Sequence, residues 1–279
     1  MSIIIPEVFA ECVNEKLHTG FKMAQLAYDA TADVADITTC GNKVAFPTFD
    51  RVAKVGVVTK GTALTPAELA MTNNEADIKQ CGGSVRIYDK DARQIKGAVQ
   101  DNMAQQLADA MVQDLDASLA STVLSEGTHK VALASATAIT YAEILEVLAT
   151  FGDNVDYESF AGIAIHSNLL PSFLQMDAFT SREKTIVKEG NGLISNSIIG
   201  YFMGIPVIMS NTACYDATAK EANLYAIKKG ALGYVMQQTP TIELQRPSLL
   251  FATDIIASDM YATKVLDKEG IVIAKKTIA

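Results

Sequence analysis

Tryptophan is absent from the 279 residues, and Phe and Tyr bring the aromatic share to only 7%. That is thin material for a carbohydrate site or a stacking platform for single-stranded nucleic acid. Basic residues are also short, with 23 Lys and Arg against 32 Asp and Glu, for a net charge of -9. Such a balance argues against a protein whose main task is to grip nucleic-acid phosphates. Cys12, Cys40, Cys81 and Cys214 stand far apart with no CxxC pair. Four reduced thiols are the simplest reading; a zinc site or a disulfide frame is the alternative. No run approaches the ~18 apolar residues of a transmembrane helix. The opening MSIIIPEVFAECV lacks the basic start and long apolar centre of a signal peptide, so a cytosolic origin is expected.

Catalytic signatures are missing too. There is no Walker loop, GxGxxG, GxSxG or HExxH. His18, His129 and His166 are scattered, and His166, after an apolar run, reads as a packed or backbone-bonded residue before a catalytic one. Gly190-Asn191-Gly192 is a turn, with no strand before it and no phosphate-binding lysine after it. Asp114 and Asp116 are two apart and so point to different faces of a helix. The expectation is no catalytic residue, no cofactor and no metal site.

What is present is organised around residues 97–125, free of proline and rich in Ala, Gln, Leu and Met. Val99, Met103, Leu107, Met111, Leu115, Leu119 and Val123 recur at every fourth place, which predicts one long spine helix. A four-residue step overshoots a full turn by ~40°, so the stripe winds roughly 240° along its length. Successive turns must therefore meet different elements. Asp109, Asp114, Asp116 and Glu126 have no basic residue near them until Lys130, which suits a solvated acidic face.

The rest reads as an α+β chain. Residues 6–28 predict a first helix with Phe9, Val13, Leu17, Phe21 and Ala24 in a narrow stripe. Residues 43–87 are poor in large apolar groups, with strand composition at 44–46, 55–58 and 85–88. Their charges are sorted. Arg51, Lys54 and Lys60 lie on the outward limb, and Glu68, Glu75 and Asp77 on the return. That pattern suits a two-stranded arm paired with itself or lying on another subunit, and equally an ordinary polar surface loop. Asp89 predicts the cap of a short helix to about 95. Thr140 and Glu143 form a capping box for a helix over 141–151. A buried strand over 160–165, a helix over 169–176, a loop over 179–197 and a second buried strand over 201–210 follow. Strand-like stretches at 224–227, 232–236, 242–246, 249–258, 260–265 and 271–274 end the chain, as a sheet expected to pack along the spine.

Three stretches carry a family likeness: Ala76-Asp77-Ile78-Lys79-Gln80 through 85–89 into the spine with Gln105, Gln106, Leu107, Ala108 and Asp116; Gly162 to His166 with 169–174; and Gly204 to Ser210, then 226–233 and the terminal strands. In this order they resemble the tailed-bacteriophage major capsid protein of the Hong Kong 97 (HK97-like) fold, over essentially the whole chain. The resemblance implies an N-terminal arm (1–42), an extended loop (43–87), a peripheral domain (88–138 plus 226–279) and an inserted axial domain (139–225). It also implies a structural protein that is no enzyme and self-assembles as pentamers and hexamers into an icosahedral shell enclosing double-stranded DNA. Partners would be other copies, a portal protein, and a separate scaffolding or decoration protein, with no membrane. Localisation would be the virion capsid, assembled in the host cytoplasm.

On that reading Arg51, Lys54, Lys60, Glu68, Glu75 and Asp77 make inter-subunit contacts that set register more than affinity. Asp109, Asp114 and Asp116 would face the lumen and repel packed DNA. Because the chain begins almost at the arm, no fused scaffolding segment is expected. Lys60 stands on the loop type that carries covalent cross-links in some relatives, but its partners have no match, so no cross-link is expected. Ser167 replaces a proline common in relatives. An encapsulin-like nanocompartment shares the fold, and an oligomeric α/β enzyme using the 160–210 layer is a third reading.

Overall fold

A computed structural model describes residues 21–33, 41–49, 71–90, 99–134, 138–153, 155–176, 179, 198–216 and 218–277. Met23–Leu26 is a single 3-10 turn, followed at once by strand β1 (Tyr28–Asp29). The helix expected over 6–28 therefore does not run to its expected end. Met23 and Leu26 are fully buried in the core that also holds Leu115 and Tyr225, and this docking overrides the helical stripe.

β2 (Lys43–Phe49) and β3 (Met71–Asp77) pair antiparallel, with Lys43 opposite Asp77 and Phe49 opposite Met71. The expected strand at 55–58 lies outside the described residues. β4 (Lys79–Tyr88) leads towards the spine, α1 (Val99–Glu126). The helix expected from Asp89 to 95 falls almost wholly outside the described residues. After α1 come β5 (His129–Ala132) and α2 (Tyr141–Ala149), whose capping box forms as read: Thr140 Oγ1 accepts from the Glu143 N–H, and Glu143 accepts from the Thr140 N–H. β6 (Phe160–Ile165) and α3 (Leu170–Gln175) complete a strand–helix unit.

The single strand expected over 201–210 is instead a hairpin of β7 (Ile198–Phe202) and β8 (Ile205–Met209). Met203 and Gly204 at its turn have φ of 50° and 86°. Two successive positive φ values make the tight reversal whose twist matches paired strands. The expected loop over 179–197 is undescribed apart from Phe179. β9 (Tyr215–Asp216) and β10 (Glu221–Lys228) precede β11 (Leu232–Gln245) and β12 (Ala252–Val265). Four expected strands thus merge into two long ones, joined by a 3-10 turn at Ser248–Leu250. Register shifts between Met236 and Thr241 absorb the interruption that Pro240 makes in the pattern. β13 (Ile271–Thr277) ends the described chain.

Three sheets result among the described residues: β1-β11-β12-β4, the mixed β5-β13-β10-β6-β8-β7 with β9 beside β10, and the pair β2-β3. Of the terminal strands, only β11 and β12 join the sheet under the spine; β10 and β13 are interior strands of the larger one. Residue 225, the expected axial-domain end, falls inside β10. The spine's stripe drifts as its spacing requires. Met103, Leu107 and Met111 pack on Ile255 and Ala257, whereas Leu115, Leu119 and Val123 reach a second core with Leu26, Tyr225 and Ile273. A third core joins α2 and α3 to the larger sheet through Ile144, Val147, Phe173 and Ile163.

Candidate functional site

Alternation along β2 and β3 gives their hairpin two unlike faces. Val44, Phe46 and Ala76 are buried against Ala30, Val235 and Ala262, which anchors the hairpin's base on the β11–β12 sheet. Lys43, Ala45, Glu75 and Asp77 lie on the other, exposed face. Lys43 Nζ reaches diagonally across to Glu75 at 3.2 Å. Both side chains are half exposed or more, so the pair adds at most about 1 kcal/mol. Of the six residues expected at inter-subunit contacts, Glu75 and Asp77 are thus on the solvent face of this ribbon. Arg51, Lys54, Lys60 and Glu68 lie outside the described residues.

The three acids of the spine separate. Asp109 is exposed and accepts from Gln105 Nε2 at 3.0 Å. Asp114 is exposed on the helix but accepts from the Tyr261 hydroxyl of β12 at 2.7 Å. Asp116 cannot belong to a lumen-facing set, because it is only 2% exposed. Its Oδ1 accepts the N–H groups of Met23 and Ala24 at 3.0 and 3.3 Å and so holds the 3-10 turn onto the spine. Burial pushes its carboxyl up to about 6, with the two backbone bonds working the other way. Glu126 is likewise no bare acid. It pairs with Lys264 at 2.7 Å and accepts the Val265 N–H.

Between spine and sheet runs a polar seam with no counterpart among the expected site residues. Along β12 the positions 255, 257, 259, 261, 263 and 265 turn inward, and Asp259 occupies one of them at 4% exposure. Its Oδ1 finds no hydrogen-bond partner among the described residues, and burial, then the nearby Asp114, push its carboxyl up to about 6. Cys81 stands opposite it on β4 with its thiol 3.5 Å from the Tyr261 oxygen, and further along the strand come the Lys79–Ser118 bond at 3.1 Å and the Thr122–Thr263 bond at 2.8 Å. An aspartate at an inward position of an alternating strand is the one signal that could have found the seam.

His166 caps the turn Ser167–Leu169 by accepting the Asn168 N–H at its Nδ1, and stacks on Tyr215 with ring centres 5.0 Å apart. Burial lowers its pKa. Among the described residues no three His, Cys, Asp or Glu side chains gather closely enough to hold a metal ion, and no helix is long and apolar enough to cross a membrane.

A long helix across one sheet, a self-paired hairpin anchored on that same sheet and a separate mixed sheet with its own core make up a Hong Kong 97-like fold. The chain belongs to the phage capsid protein family, which it matches over residues 72–274. Among solved structures it is similar to a chain from Mycobacterium phage Che8 (19% identity, 90% of each chain, TM-score 0.65) and to the capsid of a native GTA particle (12%, 93% of this chain and 90% of that one, TM-score 0.66). A virus-like particle from Pyrococcus furiosus also matches (14% identity, 98% of this chain and 100% of that one, TM-score 0.61). No curated protein sequence matches. The chain is a structural protein, a capsid protein of the tailed-phage major capsid type.

Proposed function

We propose that copies of this chain assemble as pentamers and hexamers into a closed icosahedral shell around double-stranded DNA, within the host cytoplasm. The hairpin β2–β3 carries this reading. Its base is bound to its own subunit by few residues, and the rest of the ribbon is paired only with itself among the described residues. A lone two-stranded ribbon is marginal in water, so a neighbouring subunit is its natural support. The sorted charges of Arg51, Lys54 and Lys60 against Glu68, Glu75 and Asp77 would then set register between neighbours. A portal protein fills the remaining vertex, and a separate scaffolding or decoration protein completes the partner set. The DNA is held without sequence-specific contact, consistent with the net charge of -9 and the exposed Asp109 and Asp114.

Negative-stain electron microscopy with sedimentation of the purified protein tests the reading. Angular shells or pentameric and hexameric rings are expected; a monomer that never assembles under salt or crowding would remove it. Charge reversal at Lys54 and Lys60 should shift protein from shells to free subunits. Asp109→Lys, which leaves the Asp114–Tyr261 bond intact, should slow DNA release, and unchanged release would remove the lumenal role. A second reading is an encapsulin-like shell around protein cargo, on a fold shared with a virus-like particle from Pyrococcus furiosus. Nuclease-protected DNA in purified shells decides for the first reading, and a co-purifying enzyme without DNA for the second.

A further inference from the structure

Asp259 lies at a level of its sheet where little else holds the strands and the spine together. On one side β11 slips. Its register shifts fall between Met236 and Thr241, opposite Ser258 to Tyr261, and Pro240 there has no N–H to give. On the other side β4 sets Cys81 against Asp259, Gly82 against Ser258 and Gly83 against Ala257. Two glycines leave that stretch of β4 without side chains to pack. The spine changes partners at the same level. Met103, Leu107 and Met111 belong to one core, and Leu115, Leu119 and Val123 to another. Asp114, whose charge reaches Asp259, falls between the two sets.

No cation pairs with Asp259 among the described residues. The charged group facing it from the spine is Asp114, of like sign and already bonded to the Tyr261 hydroxyl. From β4, Lys79 gives its Nζ to Ser118, and Cys81 brings a thiol whose pKa burial raises. β11 has no titratable side chain from Met236 to Thr241. β3 meets β12 through Ala76 and Ala262, with Glu75 and Asp77 exposed on the hairpin's other face. An ionised Asp259 therefore has no stabilising charge inside the seam and must find water. A bulge and a glycine pair flanking the same residue make local opening the easy way to reach it.

We propose that this level is a proton-operated joint: with Asp259 neutral the middle of the spine is closed on β12 and β4, and with Asp259 ionised that stretch opens to water while the larger sheet stays folded. The inference goes beyond the shell reading and does not depend on it. The larger sheet is spared because its core is separate, built with α2 and α3 through Ile144, Val147 and Phe173. The closed joint holds the proton and the open one releases it, so closure is favoured at low pH and weakens as pH rises through about 6. A carboxyl near 6 when closed and near 3.8 when open raises the opening constant roughly tenfold between about pH 5 and 7.5.

Hydrogen exchange of the full-length chain tests the joint, read by mass spectrometry and corrected for the intrinsic pH dependence of amide exchange. From about pH 5 to 7.5, protection over 107–118 and 255–262 should fall roughly tenfold, with β6 and β10 far better protected throughout. Asp259→Asn should abolish the fall. Asp114→Asn keeps an acceptor for Tyr261 but removes the like charge, so the midpoint should move to lower pH. Asp116→Asn should leave the fall unchanged, since that carboxyl is buried against Met23 and Ala24 instead. Equal protection at both pH values in the wild type overturns the joint. So does a fall that persists in Asp259→Asn, or a β12 that exchanges no faster than β10 at the higher pH, the mark of global unfolding alone. If Asp259→Asn fails to fold, the Asp114→Asn midpoint decides, and an unmoved midpoint overturns the joint.

Discussion

Asp116 on the spine and Asp259 on β12 are both carboxylates nearly removed from water. Asp116 accepts the N–H groups of Met23 and Ala24, and Asp259 has an oxygen with no partner among the described residues. Both are pushed from 3.8 up to about 6, chiefly by burial. The folded state then holds protons that the unfolded chain has released, so stability is full below about pH 4 and falls as pH rises towards 6. Denaturant melts from pH 4 to 7 should show that decline, and Asp259→Asn should flatten it. Asp116→Asn should flatten it too while keeping one acceptor for Met23 and Ala24. Asp116→Ala strands both N–H groups and should cost about 1–3 kcal/mol at every pH.

At the scale of elements, tight reversals and close approaches decide where strands and helices stop. Met203 occupies the left-handed first position of the β7–β8 turn, where asparagine is the unstrained choice. Met203→Asn should raise stability by about 1 kcal/mol in a thermal or chemical melt. Gly204→Ala should do the opposite. Its φ is 86°, and a methyl group there would sit 3.2 Å from the Tyr157 ring. The end of the spine is set in a similar way. A Cβ at Gly127 would lie 2.6 Å from both the Val123 carbonyl oxygen and the Ile273 side chain, so Gly127→Ala should cost about 1–3 kcal/mol. A loss well below that would show that Ile273 can move aside.

Across the whole molecule, the last strand is tied to the helix that follows the spine by one buried ion pair. Lys276 on β13 is 1% exposed, and its Nζ stands 2.8 Å from both oxygens of Glu143 on α2. Glu143 also closes the capping box with Thr140. Burial alone would raise the Glu143 pKa, but the bonds from Lys276 and Thr140 outweigh it and hold it below its usual value. That contribution is present at neutral pH and is lost as pH falls through the lowered value. Removing one partner leaves the other charge buried, so Lys276→Met should cost about 3–5 kcal/mol by equilibrium denaturation. A loss under 1 kcal/mol would mean that Glu143 finds water when its partner is gone. Because the pair joins β13 to α2, the larger sheet and its helix should unfold as one unit.

Much of this was already legible in residue order. The four-residue period from Met103 to Val123 sets the spine and its drift, the Thr140–Glu143 box sets where α2 begins, and the apolar run at 160–165 sets a strand buried on both faces. These are local periodicities and local hydrogen bonds, which need no knowledge of the rest of the chain. The burial of Asp116, the membership of β10 and β13 in the larger sheet and the splitting of 201–210 into a hairpin were not legible. Each depends on which distant segment arrives alongside: Met23 beside Asp116, β6 beside β10, Tyr157 beside Gly204. A carboxylate on a helix reads as solvated until another element covers it. A strand's sheet is chosen by partners far along the chain, and only tertiary packing brings those partners into contact.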